Sequence, residues 1–85
     1  MLWPGLRRLR RGRPSDRHLA ATIKVRLEST EEITISRLCV KVKAGVVLLQ
    51  GCVATGHQKG LATGVAASVP GVRGVFNELG VEYAG

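Results

Sequence analysis

The stretch from Val40 to Val53, Val-Lys-Val-Lys-Ala-Gly-Val-Val-Leu-Leu-Gln-Gly-Cys-Val, leaves this chain little choice of local structure. Leu38, Val40 and Val42 alternate with Arg37, Cys39, Lys41 and Lys43. Beyond Ala44-Gly45, Val47, Leu49, Gly51 and Val53 alternate with Val46, Leu48, Gln50 and Cys52. A period of two places one set on each face of a pleated ribbon. Glycine at position 45 permits the positive φ of a tight turn. With Ala44-Gly45 as the loop, Val42 faces Val47, Val40 faces Leu49 and Leu38 faces Gly51, so turn and pattern agree on one register. These residues predict a β-hairpin. A lone hairpin is not stable in water, so its apolar face needs a cover.

Two helices are expected to supply it. After Pro14, Ser15 or Asp16 can cap a helix by accepting from the free amides of its first turn. Leu19, Ile23 and Leu27 then repeat at i, i+4 and i+8, with Arg17, Lys24, Arg26 and Glu28 between them, which predicts an amphipathic helix of about three turns. Downstream of the hairpin, Ala54-Thr55-Gly56 reads as a turn with Thr55 a plausible cap. Leu61, Val65 and Val69 make a second stripe, predicting a helix from about His57 to Val69 that Pro70-Gly71 ends. Gly60 and Gly64 inside it each cost about 1 kcal/mol relative to alanine. A last strand is predicted over Val75–Glu82.

The order is α-β-β-α-β. The second strand, second helix and third strand form a crossover, which should be right-handed and should make those strands parallel. The expected fold is a two-layer α+β arrangement, a three-stranded mixed sheet with two helices on one face. Its strands are expected at Ile35–Lys43, Val46–Val53 and Val75–Glu82.

With 85 residues the chain is large enough for one domain, expected over residues 15–83. The formal charge of +7 is unevenly divided. Residues 1–14 form a basic tail with five arginines and no acid, leaving eight basic and six acidic side chains for the rest. The folded part is therefore nearly balanced, and nucleic acid is not the expected partner. In the tail, Leu2, Leu6 and Leu9 are spaced i, i+4 and i+7 with arginines between them, the outline of a short basic amphipathic helix. It is too short to be helical alone in water. Two readings stand: a disordered tail, upstream of the true start site in one version, or an anchor for an anionic surface. In the second, the contacts are Trp3, Arg7, Arg8, Arg10, Arg11 and Arg13.

No apolar run reaches the length of a membrane span. The N-terminal arginines are not followed by an apolar stretch, so no export signal is read and a cytoplasmic or membrane-peripheral location is expected.

No catalytic, metal or cofactor site is expected. His18 and His57 are the only histidines, and neither has a cysteine or carboxylate at a motif spacing. Gly56-His57-Gln58-Lys59-Gly60 lacks the Gly-Lys-Ser/Thr ending of a phosphate loop. Cys39 and Cys52, with direct partners Gln50 and Arg37, are diagonal neighbours on the hairpin and beyond the usual disulfide separation, so free thiols are expected. Gly56, Gly60, Gly64 and Ser68 form a small-residue row, read as a face for close packing on the first helix or on a partner helix.

The string Gly45-x-Val47-x-Leu49-x-Gly51-x-Val53, followed by Val69-Pro70-Gly71-Val72-x-x-Val75-x-Asn77-x-Leu79-x-Val81, resembles the BON domain, a module named for bacterial osmotic-shock and nodulation proteins. Asp16-x-x-Leu19 and Leu27 fit its first helix, and the resemblance covers roughly residues 16–82. It implies the same element order and a non-enzymatic, stress-related module of small bacterial proteins. Such a module binds phospholipid, often in the envelope and often in tandem copies. This chain has one copy, no export signal and glycines in the second helix.

The matched positions read as structural. Gly45 serves the turn, and Val47, Leu49, Val72 and Val75 belong to the apolar pattern. Gly51 admits close approach of a covering helix, Gly71 permits the exit from the second helix, and the Asn77 amide bonds backbone at the strand edge. Two function classes follow: a module binding phospholipid or envelope surfaces, or a protein-interaction or accessory domain of a larger assembly.

Overall fold

A computed structural model describes residues 14–82. Trp3 and the five arginines of the tail lie outside the described residues. Helix α1 spans Asp16–Ser29, strand β1 Ile35–Lys43, strand β2 Val46–Val53, helix α2 Gly56–Ala67 and strand β3 Gly74–Val81. The sheet order is β1-β2-β3, with β1 antiparallel and β3 parallel to β2. This is the expected α-β-β-α-β order and mixed sheet.

Burial explains why the two helices share one face. Leu19, Ile23 and Leu27 of α1 and Ala62 and Ala66 of α2 meet Val47, Leu49, Val53 and Leu79 of the sheet in a single apolar cluster. The side chains pointing the other way from β2 are only half-buried. Ser15 caps α1 by accepting from the His18 amide, and Thr55 caps α2 by accepting from the Gln58 amide. The second helix starts at Gly56 and ends at Ala67, one turn-end shorter than the apolar stripe suggests. Val69 is buried beyond it, and its amide bonds the Ala66 carbonyl.

The hairpin turn has the two positive φ values of a primed two-residue loop, 52° at Ala44 and 82° at Gly45. Val42 pairs with Val47 and Val40 with Leu49, as the alternation predicts. The register then departs from expectation. Cys39 pairs with Gln50, but the next pairs are Ser36 with Cys52 and Ile35 with Val53, so Arg37 and Leu38 together oppose Gly51 in a β-bulge. Arg37, expected opposite Cys52, instead takes a left-handed φ of 57° within the bulge. The physical reason lies in Ile35 and Leu38. They are three residues apart, so strict alternation would send one of them to the solvent face. The extra residue returns both to the core side.

Gly51 makes the bulge possible. Its φ is 141°, and a Cβ there would lie 2.9 Å from the Ser36 carbonyl oxygen and 3.1 Å from that of Arg37. The close approach is therefore by the β1 backbone, not by a covering helix as the sequence suggested. Cys39 is exposed, Cys52 is half-buried, and both are free thiols.

The small-residue row of α2 does not pack on α1. A Cβ at Gly56, Gly60 or Gly64 would meet nothing within 4 Å. The glycine cost in the helix interior is thus uncompensated, and Gly60→Ala and Gly64→Ala are each expected to stabilise the fold by about 0.5–1 kcal/mol. Urea unfolding followed by circular dichroism reads this directly. A loss of stability would mean that the open space is occupied.

Candidate surface-binding site

Where the two ends of the sheet meet the loops, polar side chains do the positioning. A two-residue turn leaves its own amides without ladder partners. Asp16, the first residue of α1, supplies them: its carboxylate oxygens accept from the Ala44 amide at 2.8 Å and the Gly45 amide at 3.0 Å. The Gly45 carbonyl accepts from the Arg73 amide at 2.7 Å. One aspartate therefore fixes the start of α1 to the hairpin tip, a role that its place near a helix cap did not reveal. Asp16→Ala is expected to cost about 1–2 kcal/mol, because two charge-assisted bonds are lost at a half-exposed site. Asp16→Asn should cost less, since its amide oxygen can still accept one of the two amides. Chemical denaturation of the two variants tests this ranking.

At the opposite end, Gln58 accepts from the Thr34 amide at 3.1 Å and the Ala54 amide at 3.2 Å, joining the strand ends to the start of α2. Gly71, with φ 100°, lies where a Cβ would come 3.0 Å from Pro14 Cδ and 3.3 Å from Leu19 Cδ2, so the exit from α2 packs tightly against the entry to α1. Val72 and Val75 pack against the core cluster, while Val47 and Leu49 are fully buried within it. Asn77 reaches further than its own strand edge. Its Nδ2 donates to the Lys59 carbonyl and to Thr63 Oγ1, both at 2.7 Å, and its Oδ1 accepts from the Leu79 amide at 3.0 Å. It ties β3 to α2.

These positions hold the frame. The surface available to a partner lies elsewhere. On α1, with Leu19, Ile23 and Leu27 turned inward, Arg17, His18, Ala21, Lys24, Val25 and Arg26 are exposed. His18, Ala21, Thr22, Val25 and Arg26 line a shallow, open and mainly apolar depression. Val25 is 60% exposed, an apolar side chain on a face bordered by cations. The only acids on this helix are Asp16, engaged with the hairpin tip, and Glu28. The sequence gives Arg17, Lys24, Arg26 and Glu28 as the polar side of an amphipathic helix. Val25, a β-branched aliphatic out of phase with the buried stripe, stays exposed.

His18 and His57 are both exposed. Among the described residues, no three His, Cys, Asp or Glu side chains are placed to hold a metal ion. Among the same residues, no helix is long and apolar enough to cross a membrane.

A small two-layer α+β module, with its polar groups engaged in holding loops and with a cationic helix face outward, is the class this architecture defines. The family model for the BON domain matches residues 15–83, and the chain belongs to that family. BON domains are phospholipid-binding or osmotic-stress-related modules and in general act without catalysis. A search of curated proteins finds no match to the chain.

Proposed function

We propose that this chain is a non-enzymatic module that binds anionic phospholipid surfaces and is peripheral at a membrane. The basic tail makes the principal contact and the outer face of α1 adds to it. The observation that carries this reading is continuity of charge. Arg7, Arg8, Arg10, Arg11 and Arg13 lead through Pro14 into a helix whose exposed side presents Arg17, His18, Lys24 and Arg26 around Val25. Each basic group near an anionic surface contributes about 1 kcal/mol at most, so the five tail arginines set a ceiling of about 5 kcal/mol. Ordering the tail offsets part of it. Trp3 and the leucines supply the apolar contacts that favour lipid over other polyanions.

Co-sedimentation with anionic and neutral vesicles tests the assignment, using the full chain, a variant with the five tail arginines changed to alanine, and Trp3→Ala. The arginine variant is expected to lose most of its binding to anionic vesicles, and Trp3→Ala a smaller part. If the arginine variant binds like the full chain, the tail is not the contact. The accessory-domain reading draws support from a different observation, the second face of the sheet, which no helix among the described residues covers.

A further inference from the structure

The sheet face turned away from the helices is organised by charge. Register places Lys41, Leu48 and Phe76 in one cross-strand row and Lys43, Val46 and Gly74 in the next. Cys39, Gln50 and Glu78 form the row on the other side. Phe76 is 64% exposed, and Lys41, Lys43 and Glu78 are exposed. Glu82, exposed just beyond β3, continues the acidic margin, its amide bonded to the Val53 carbonyl. The face thus has a basic margin on β1, an apolar strip on β2 and Phe76, and an acidic margin on β3.

We propose that this face is the contact surface for a second copy of the chain, packed face to face about a two-fold axis running along β2. Such an axis lays β1 of each copy over β3 of the other. Lys41 then lies one row from the second copy's Glu78, within reach of its long side chain, Lys43 lies over the second copy's Gly74, and Val46 and Leu48 meet their own counterparts. Lys41 also lies over the second copy's Phe76 ring, a favourable place for a cation. A two-fold contact must be self-complementary, and a face basic on one margin and acidic on the other satisfies that condition. Rotation about an axis across the strands would instead place β1 on β1 and lysine near lysine.

The footprint is small. Three strands about 4.8 Å apart, over about five residues of about 3.3 Å each, cover a few hundred Å² per copy. That is below the roughly 800 Å² per partner of a standard stable interface, so the dimer is reversible and forms only at high protein concentration. The pairing is independent of the lipid reading, since neither the tail nor α1 takes part in it.

Sedimentation equilibrium of the full chain, from micromolar to millimolar concentration at moderate salt, tests the proposal. The chain is expected to shift from monomer toward dimer across that range. Lys41→Glu sets an acid near the second copy's Glu78, and Glu78→Lys sets a base near the second copy's Lys41. Each variant alone is expected to associate at least about tenfold more weakly, because like charges are then apposed. Mixed in equal amounts, the two variants should associate with each other, since every charge pair is again opposite. Both sites of change are exposed, and circular dichroism confirms that each variant is folded. A full chain that stays monomeric throughout, or single variants that dimerise as well as the full chain, would overturn the proposal. So would a mixture that associates no better than its components.

Discussion

Gly51→Ala is expected to lower the unfolding free energy by about 3–5 kcal/mol. Two penalties combine. A φ of 141° is one that L side chains rarely adopt, and holding such a conformation costs about 1–3 kcal/mol. The added carbon would also lie 2.9 Å from the Ser36 carbonyl oxygen, 3.1 Å from that of Arg37 and 3.2 Å from Leu38 Cα. All three are backbone atoms, so relief requires moving the bulge itself, and overpacking of this kind costs about 1–3 kcal/mol. Stability of about 0.05–0.15 kcal/mol per residue is usual. The substitution should therefore remove a large part of what holds so short a chain folded. Gly80 is the control. It lies beside Gly51 across the β2–β3 pairing, but its Cβ would meet the Gly51 carbonyl at an ordinary 3.7 Å. Gly80→Ala should be close to neutral. Urea unfolding that finds the two variants alike would remove the bulge from the account.

Asn77→Ala comes second, at about 2–3 kcal/mol, because three neutral hydrogen bonds at about 1 kcal/mol each are lost at a half-buried site. The helix carbonyl and threonine hydroxyl that received its amide are left to find other donors. Thr63→Val removes only one of these bonds and should cost about 1 kcal/mol. Asn77→Asp provides a sharper test of the donor role. It keeps an acceptor for the Leu79 amide but turns an oxygen toward the Lys59 carbonyl, so it should be at least as damaging as alanine. An Asn77→Asp chain as stable as the parent would show that the bonds to α2 do not hold β3 in place.

Much of this fold is legible in local pattern. The apolar stripes of α1 and α2 give the helices, Ala44-Gly45 gives the turn, and the alternation from Val40 to Leu49 gives the register near it. What pattern misses are the places where distant residues decide. A period of two cannot report the bulge, because the bulge is where the period fails. Its trace in the sequence is the odd spacing of Ile35 and Leu38, with a glycine at 51 available to receive it. Asp16 reaches a turn 28 and 29 residues away, and Asn77 reaches a helix 14 to 18 residues away. Neither partner is visible to neighbour-by-neighbour reading. The glycine row of α2 looked like a packing face and is an open one, because spacing identifies a smooth surface but not what lies against it. For the candidate site, the arginine cluster is plain in the sequence. The part proposed for α1 needed the fold, which shows that Val25 stays outside the core.

The central functional claim is that this BON domain chain associates with membranes through charge. The most direct measurement is the partitioning of the unaltered chain onto vesicles of anionic and of neutral phospholipid, repeated as salt is raised. Exposed charges lose most of their attraction once the screening length falls to a few Å, roughly 3 Å at 1 M ionic strength. The expected result is measurable binding to anionic vesicles at low salt, most of it lost at high salt, and little binding to neutral vesicles at any salt. Equal partitioning onto the two lipids, or binding that high salt leaves intact, would contradict the claim.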